Sequence, residues 1–323
     1  MIPYFDAHCD TVHRLAIRPE DTVGMPEDFR RWFYDVESLR SNRGHVDLLR
    51  GRQFRRYAQF FALYHDPFYP PADGLWAQCL RMHNCFLREM EANADLVRHC
   101  RTAAEINDAV EDGKITALLS VEGADLLDCD PERIETVSAW GVKLFNLTWN
   151  KSNLLSGTHK EEPDRGLSDA GRAFVRELER CGIYADVSHL SDAGFWDLVK
   201  MAHRPIVASH SNSRAVWPHS RNLTDDMFRA ILDSGGVVGI NFFRNFVGET
   251  GSMDELAAHV EHFLELGGEK TLCLGGDLDG CESLVGGMTG VQDVPRIYKA
   301  LGERGFGREL LEDLFWNNMM RLL

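Results

Sequence analysis

The chain has 323 residues, 44% of them hydrophobic, and a formal net charge of −15. That apolar content supplies a large core and excludes global disorder. The acidic balance argues against DNA, RNA or an anionic membrane as the main partner. No stretch approaches the ~18 apolar residues that span a bilayer. Met1–Asp6 has neither the basic start nor the cleavable apolar run of a signal peptide, so a cytoplasmic location is expected. Eight cysteines are scattered without the close pairs of a zinc knuckle, and are expected to be free thiols, most of them buried.

Short apolar runs recur at Pro3–Ala7, Gln59–Tyr64, Ile115–Val121, Val142–Thr148, Ile183–Val187, Pro205–Ser209, Val237–Phe243 and Thr271–Leu274. Most are continuously apolar rather than alternating, as strands of a parallel sheet read when both faces are covered. An Arg-rich stretch from Arg14 to Arg56 breaks the rhythm and is expected to be an insertion, at about 15–56, carrying short helices. Helices are expected over Ala170–Cys181 after Ser168-Asp169, over Asp192–His203 after Ser191, and over Asp225–Asp233 after Thr224. A capping box, Ser252-Met253-Asp254-Glu255, opens another that stops at Gly267. Strands alternating with helices predict an α/β fold, a single (β/α)8 TIM barrel over 1–323, with an open doubly wound sheet as the alternative. No G-x-G-x-x-G follows the first strand, which weakens a dinucleotide-binding reading.

Catalytic groups of such a barrel sit at the C-terminal ends of its strands. Five of the runs end in a metal ligand or an acid: His8-Cys9-Asp10, Glu122, His189, His210 and Asp277. His8 and Asp10 are two apart, so on a strand both face one way and Cys9 faces the other. They suit one ion, His189 and His210 suit a second, and Glu122 has two oxygens with which to bridge. Nitrogen and oxygen ligands without thiolates fit Zn2+, with Mn2+, Co2+ or Fe2+ as alternatives. Two such ions activate a shared water as hydroxide near neutral pH. Any one of these residues alone is weak evidence, since the chain holds 13 histidines and His65 also follows an apolar run. Their joint order along successive strand ends carries the argument.

These residues resemble the renal (membrane) dipeptidase family of the amidohydrolase superfamily. The resembling stretches are Asp6–Thr11, Ser120–Gly123, Asp186–His189, Ala208–Asn212, Arg221–Asp225, Gly236–Phe242 and Gly275–Gly280. The resemblance implies a binuclear zinc barrel in which His8 and Asp10 hold one ion, His189 and His210 the other, and Glu122 bridges. It implies that Asp277 is the general base and then proton donor, and that Arg221 holds the substrate's terminal carboxylate, with Arg214 as the rival arginine. In one respect the chain departs from the family. Many members carry a carbonyl-polarising histidine after the fourth strand, where this sequence reads Leu147-Thr148-Trp149-Asn150. Trp149 takes that histidine's position and is expected to line the pocket, while Asn150 is a candidate donor to a developing oxyanion.

The resulting expectation is a zinc-dependent dipeptidase, acting on L,L dipeptides, with L,D dipeptides as a further class, through a metal-bridging hydroxide. The alternative is a related hydrolase of N-acyl amino acids, lactones or cyclic amides, and a catalytically dead barrel ranks below both because no ligand is lost. The expected partner is the small-molecule substrate, with neither nucleic acid nor membrane. The apolar C-terminal stretch Leu310–Leu323 is expected to form a helix packed on the barrel, with a homodimer contact as its other use.

Overall fold

The computed structural model of the chain describes residues 1–66 and 69–323, apart from the side chains of residues 28, 29 and 31. Its strands are β1 (Pro3–Cys9), β2 (Arg56–Tyr64), β3 (Val97–His99), β4 (Ile115–Glu122), β5 (Val142–Asn146), β6 (Tyr184–Asp186), β7 (Val207–Ala208), β8 (Val237–Ile240) and β9 (Leu272–Leu274). Neighbours run β2-β1-β9-β8-β7-β6-β5-β4, and β4 pairs back onto β2, closing a ring of eight parallel strands. The fold is therefore a (β/α)8 barrel, as the eight apolar runs predicted. β3 stands outside the ring, paired with the first half of β4, while β5 takes the second half. No apolar run announces it, because Val97-Arg98-His99 offers one apolar residue in three.

The apolar side chains divide between two layers. Phe5, Ala7, Phe60, Leu118, Leu144, Val207, Val237 and Cys273 fill the barrel interior. Tyr4, Cys9, Phe61, Leu119, Val121 and Phe145 face the surrounding helices. Along β4 this is strict alternation, so Glu122 follows Leu118 and Ser120 on the inner face. β1 does not alternate throughout. Its register on β2 shifts between Asp6 and Cys9. Phe5 and Ala7 point inward, and unbroken alternation would bring Cys9 inward next. The bulge resets the pattern: Cys9 packs outward, and His8 and Asp10 reach the mouth.

The helices follow their caps. Ser168 opens Asp169–Arg180, Ser191 opens Asp192–Met201 and Thr224 opens Asp225–Asp233, each through its side-chain oxygen. Ser252 and Glu255 form the reciprocal capping box of Met253–Glu265. The helix after Ser191 stops short of the expected His203, since the chain must extend before Pro205. The connection from β1 to β2 holds the short helices Thr11–Ala16, Glu27–Phe33 and Leu48–Gly51. The C-terminal stretch is helical from Arg308 to Leu322, with a π turn at Asp313–Asn317. Its Trp316, Met319 and Leu322 join the interior cluster beside Phe5, so that end of the barrel is covered by the chain itself. Among the described residues no helix is long and apolar enough to cross a membrane.

Candidate metal centre

Five strand ends meet at the C-terminal mouth. The His8 Nε2 lies 3.3 Å from Asp10 Oδ2 and 3.4 Å from Glu122 Oε2. The other oxygen of Glu122 faces the opposite pair, 3.0 Å from His189 Nε2 and 3.5 Å from His210 Nε2. Glu122 thus offers one oxygen to each pair. Potential ligand atoms of His8, Glu122 and His210 fall within 4.8 Å of one another, as do those of His8, Asp10 and Asp277. All six residues are buried.

The protonation chemistry of the cluster fits cations. Asn150 Oδ1 lies 2.9 Å from His189 Nδ1, so that nitrogen donates and Nε2 keeps its lone pair. Ser209 Oγ sits 2.7 Å from His210 Nδ1. The two Nε2 atoms then face each other at 3.0 Å. Burial holds both imidazoles well below their ordinary pKa, so they are neutral ligands. Burial also lowers His8, but the Glu122 and Asp10 carboxylates outweigh it and raise this imidazole well above its usual value. Burial pushes Glu122 up to about 7. His8 Nε2, Asp10 Oδ1 and Glu122 Oε1 have no hydrogen-bond partner. Buried lone pairs and carboxylates so arranged are short of positive charge, and divalent ions would satisfy them.

The backbone at the site is held in unusual conformations. His189 and Asp277 lie at φ 72° and 55°, a region that costs a non-glycine residue about 1–3 kcal/mol and persists only where its surroundings enforce it. For Asp277 those surroundings are visible. Asp6 accepts the Tyr4 hydroxyl at 2.5 Å and the Gly276 N–H at 2.7 Å, tying β1 to the loop after β9. Asn241 donates to Asp277 Oδ2 at 3.0 Å. A side chain at Gly280 would overlap both Asp10 Oδ2 and Asp277 Oδ1, so that glycine is what lets the two carboxylates approach. Asp279 faces away from the centre. It pairs with the buried Arg14 and accepts Thr11 Oγ1 and the His45 N–H at 2.7 Å each, anchoring the β1–β2 connection to this loop.

Arg221 lies in the connection after β7, 3% exposed. Its Nη1 donates to Ser211 Oγ at 2.8 Å, whereas Nε and Nη2 have no partner. Burial lowers its pKa to about 10, so it stays charged at neutral pH. Arg214, the rival, is closed off: its Nη1 and Nη2 bind Asp192 Oδ2 and Oδ1 at 2.6 and 2.9 Å.

The Trp149 ring lies 5.2 Å from the Tyr64 ring and 6.1 Å from His189. Asn150 is engaged with His189 and also with His159, whose Nε2 lies 2.9 Å from the same oxygen. Neither His159, which comes from the long loop after β5, nor Asn241, which follows β8, stood out in the sequence; the place of Asn241 as the one polar residue within the apolar run Val237–Phe243 was the available signal. Among the described residues, His65 belongs to neither of the two ligand groups at the mouth.

A parallel barrel with imidazoles and carboxylates converging on its C-terminal mouth defines a metal-dependent hydrolase. The family model for membrane dipeptidases (peptidase family M19) matches residues 1–323, and the chain belongs to that family. It is a metallo-dipeptidase, a hydrolase acting on peptide bonds, and the family implies divalent metal ions. An uncharacterized protein from the pqqA 5′ region of Klebsiella pneumoniae is 33% identical over 266 residues, covering 78% of this chain and 96% of its own. Dipeptidase tcpJ of Claviceps purpurea is 29% identical over 296 residues, covering 87% of this chain and 69% of its own. Among solved structures, a metallopeptidase from Rhodobacter sphaeroides, liganded with a phosphinate mimic of the dipeptide L-Ala-D-Ala, superposes with a TM-score of 0.85 at 27% identity. That match covers 99% of this chain and 98% of the other.

Proposed function

We propose that the chain hydrolyses dipeptides with a free carboxylate at a centre of two zinc ions. His8 and Asp10 would hold one ion and His189 and His210 the other, with Glu122 offering an oxygen to each pair. The same nitrogen and oxygen donors suit Mn2+, Co2+ or Fe2+. The observation that carries the substrate assignment is Arg221. A buried guanidinium with two unpartnered donors is costly, and a carboxylate meeting it edge-on relieves that cost with paired, charge-assisted hydrogen bonds.

Bound divalent ions supply an activated water as nucleophile and a Lewis acid for the scissile carbonyl. The chain's residues do the remainder. Arg221 binds the terminal carboxylate and so sets the peptide bond over the cluster. Asp277, oriented by Asn241, takes the proton of the attacking water and returns it to the leaving amine. Asn150 and Ser209 fix the ring orientations of His189 and His210, which gives Asn150 a positioning role in place of oxyanion donation. L,D dipeptides belong in the proposed range alongside L,L, since the similar Rhodobacter sphaeroides protein binds a mimic of L-Ala-D-Ala.

The test is a panel run on protein of measured metal content: L,L and L,D dipeptides, their C-terminal amides and N-acetyl amino acids. Hydrolysis of the free dipeptides, with amidation suppressing it, is the expected result. Turnover of N-acetyl amino acids with none of any dipeptide would overturn the reading.

A further inference from the structure

A cavity of about 510 Å3 opens beside Asp10, and the residues proposed for the reaction do not account for it. Its wall is a continuous run of rings. Trp32 lies 5.4 Å from Phe33, Phe33 5.3 Å from His13, His13 5.0 Å from Tyr64, and Tyr64 5.2 Å from Trp149, so that Phe33, His13 and Tyr64 are in edge-on contact on both sides. These rings come from the β1–β2 connection, the end of β2 and the connection after β5, so the wall is assembled by the fold and not by one flexible loop. Burial lowers His13 to about 3, so it contributes a neutral ring at working pH. The Arg14 guanidinium lies 4.1 Å from the centre of the Trp32 ring and bonds the Trp32 carbonyl while pairing with Asp279. Trp32 is thereby pinned to the loop that carries Asp277.

The ring of strands decides which part of a dipeptide reaches this cavity. Around the barrel, β7 stands four strands from β2 in either direction, so the two are diametrically opposed. Arg221 belongs to the connection after β7, and Tyr64 ends β2. A dipeptide whose carboxylate sits on Arg221, with its peptide bond at Glu122 and His8 between them, directs its amino-terminal residue to the β1–β2 side.

We infer that the aromatic-walled cavity is the pocket for the side chain of the substrate's amino-terminal residue, and that it selects large apolar and aromatic side chains there. The inference rests on the dipeptidase reading above. A methyl group leaves most of such a pocket to water, whereas a phenyl or indole ring displaces that water and meets the wall rings in edge-on or offset contact. The acids at the cavity, Asp66, Asp279 and Glu282 with Asp10, set a charged side chain of the same sign at a disadvantage.

The test is kcat/KM for Xaa-L-Ala and Xaa-D-Ala, with Xaa as Ala, Leu, Phe, Trp, Lys or Glu, on metal-loaded wild type and on Trp32→Ala and Phe33→Ala. Phe and Trp are expected to exceed Ala by about tenfold or more, a discrimination that a few buried methylenes' worth of contact supplies. In both variants that ratio is expected to collapse towards one, with metal content and far-UV circular dichroism unchanged. Near-equal kcat/KM across Xaa, a preference for Lys or Glu, or an unchanged Phe-to-Ala ratio in both variants overturns the pocket assignment while leaving dipeptide hydrolysis standing. Absence of turnover for every dipeptide overturns the reading beneath it, and the pocket assignment with it.

Discussion

Arg221 and Arg214 lie on the same connection after β7, yet burial and partners separate them. Arg214 spends its fork on Asp192 at the rim, while Arg221 carries unpartnered donors into the mouth. Arg221→Lys replaces a planar fork with a point charge. It is expected to lower kcat/KM for free dipeptides by about 10–100-fold, mostly through KM, as the loss of a charged hydrogen bond implies. Steady-state kinetics with matched free and amidated dipeptides checks this, since the variant should also lose its discrimination between the two. Asn150 acts at one remove, through the ring nitrogen of His189. Asn150→Ala is expected to weaken metal affinity by about 10–100-fold, read by competition with a chromophoric chelator. Unchanged affinity would return Asn150 to the oxyanion role. Arg221 and the metal-type residues were legible in the sequence because each ends an apolar run or sits in a resembling stretch. The contacts of Asn150 and His159 were not, because a loop's side-chain partners leave no periodic trace.

The strands explain both the success and the gaps of the sequence argument at the level of elements. Strands covered on both faces read as continuous apolar runs, so all eight members of the ring were legible, and the ligand-type residues or acids ending five of the runs marked the mouth. Ser and Thr caps placed the helix starts within a residue. The bulge in β1 was not legible. The two-residue spacing puts His8 and Asp10 on one face, but only the register shift makes that the face already used by Phe5 and Ala7. The clamp between Arg14 and Asp279 was hidden for a different reason: it joins the first connection to the last strand's loop, a pairing set by ring closure alone. The loop after β9 yields its own prediction. Gly280→Ala must push Asp10 or Asp277 aside. Bound metal and dipeptide hydrolysis are expected to fall together, by at least tenfold in kcat/KM, while the barrel's far-UV signal stays. Elemental analysis beside the assay decides it, and full metal content would show that the close approach is dispensable.

Across the whole molecule, buried neutral histidines make the fold acid-sensitive. Burial lowers His13 to about 3 and His65, His99 and His259 to about 4, against an ordinary value of 6.5 in the unfolded chain. Folded-state pKa values below the unfolded one mean that the unfolded chain takes up protons first as pH falls. Their stability contribution is therefore present above pH 6.5 and is lost progressively from there down towards 3–4. Urea unfolding between pH 7.5 and 4.5 should show the midpoint dropping on the acid side of 6.5. A midpoint that rises over that interval would contradict the burial of these rings.

Closing the sheet brings β1 beside β9 and sets candidate ligands from the ends of β1, β6 and β7 around Glu122, whose two oxygens face two separate pairs. That geometry makes stoichiometry the sharpest question. Stripped protein titrated with Zn2+ in a calorimeter, with L-Ala-D-Ala hydrolysis sampled along the titration, should bind two ions per chain and reach full activity only as the second is taken up. Saturation at a single ion, or two bound ions with no hydrolysis of any dipeptide, would contradict a two-metal dipeptidase centre bridged by Glu122.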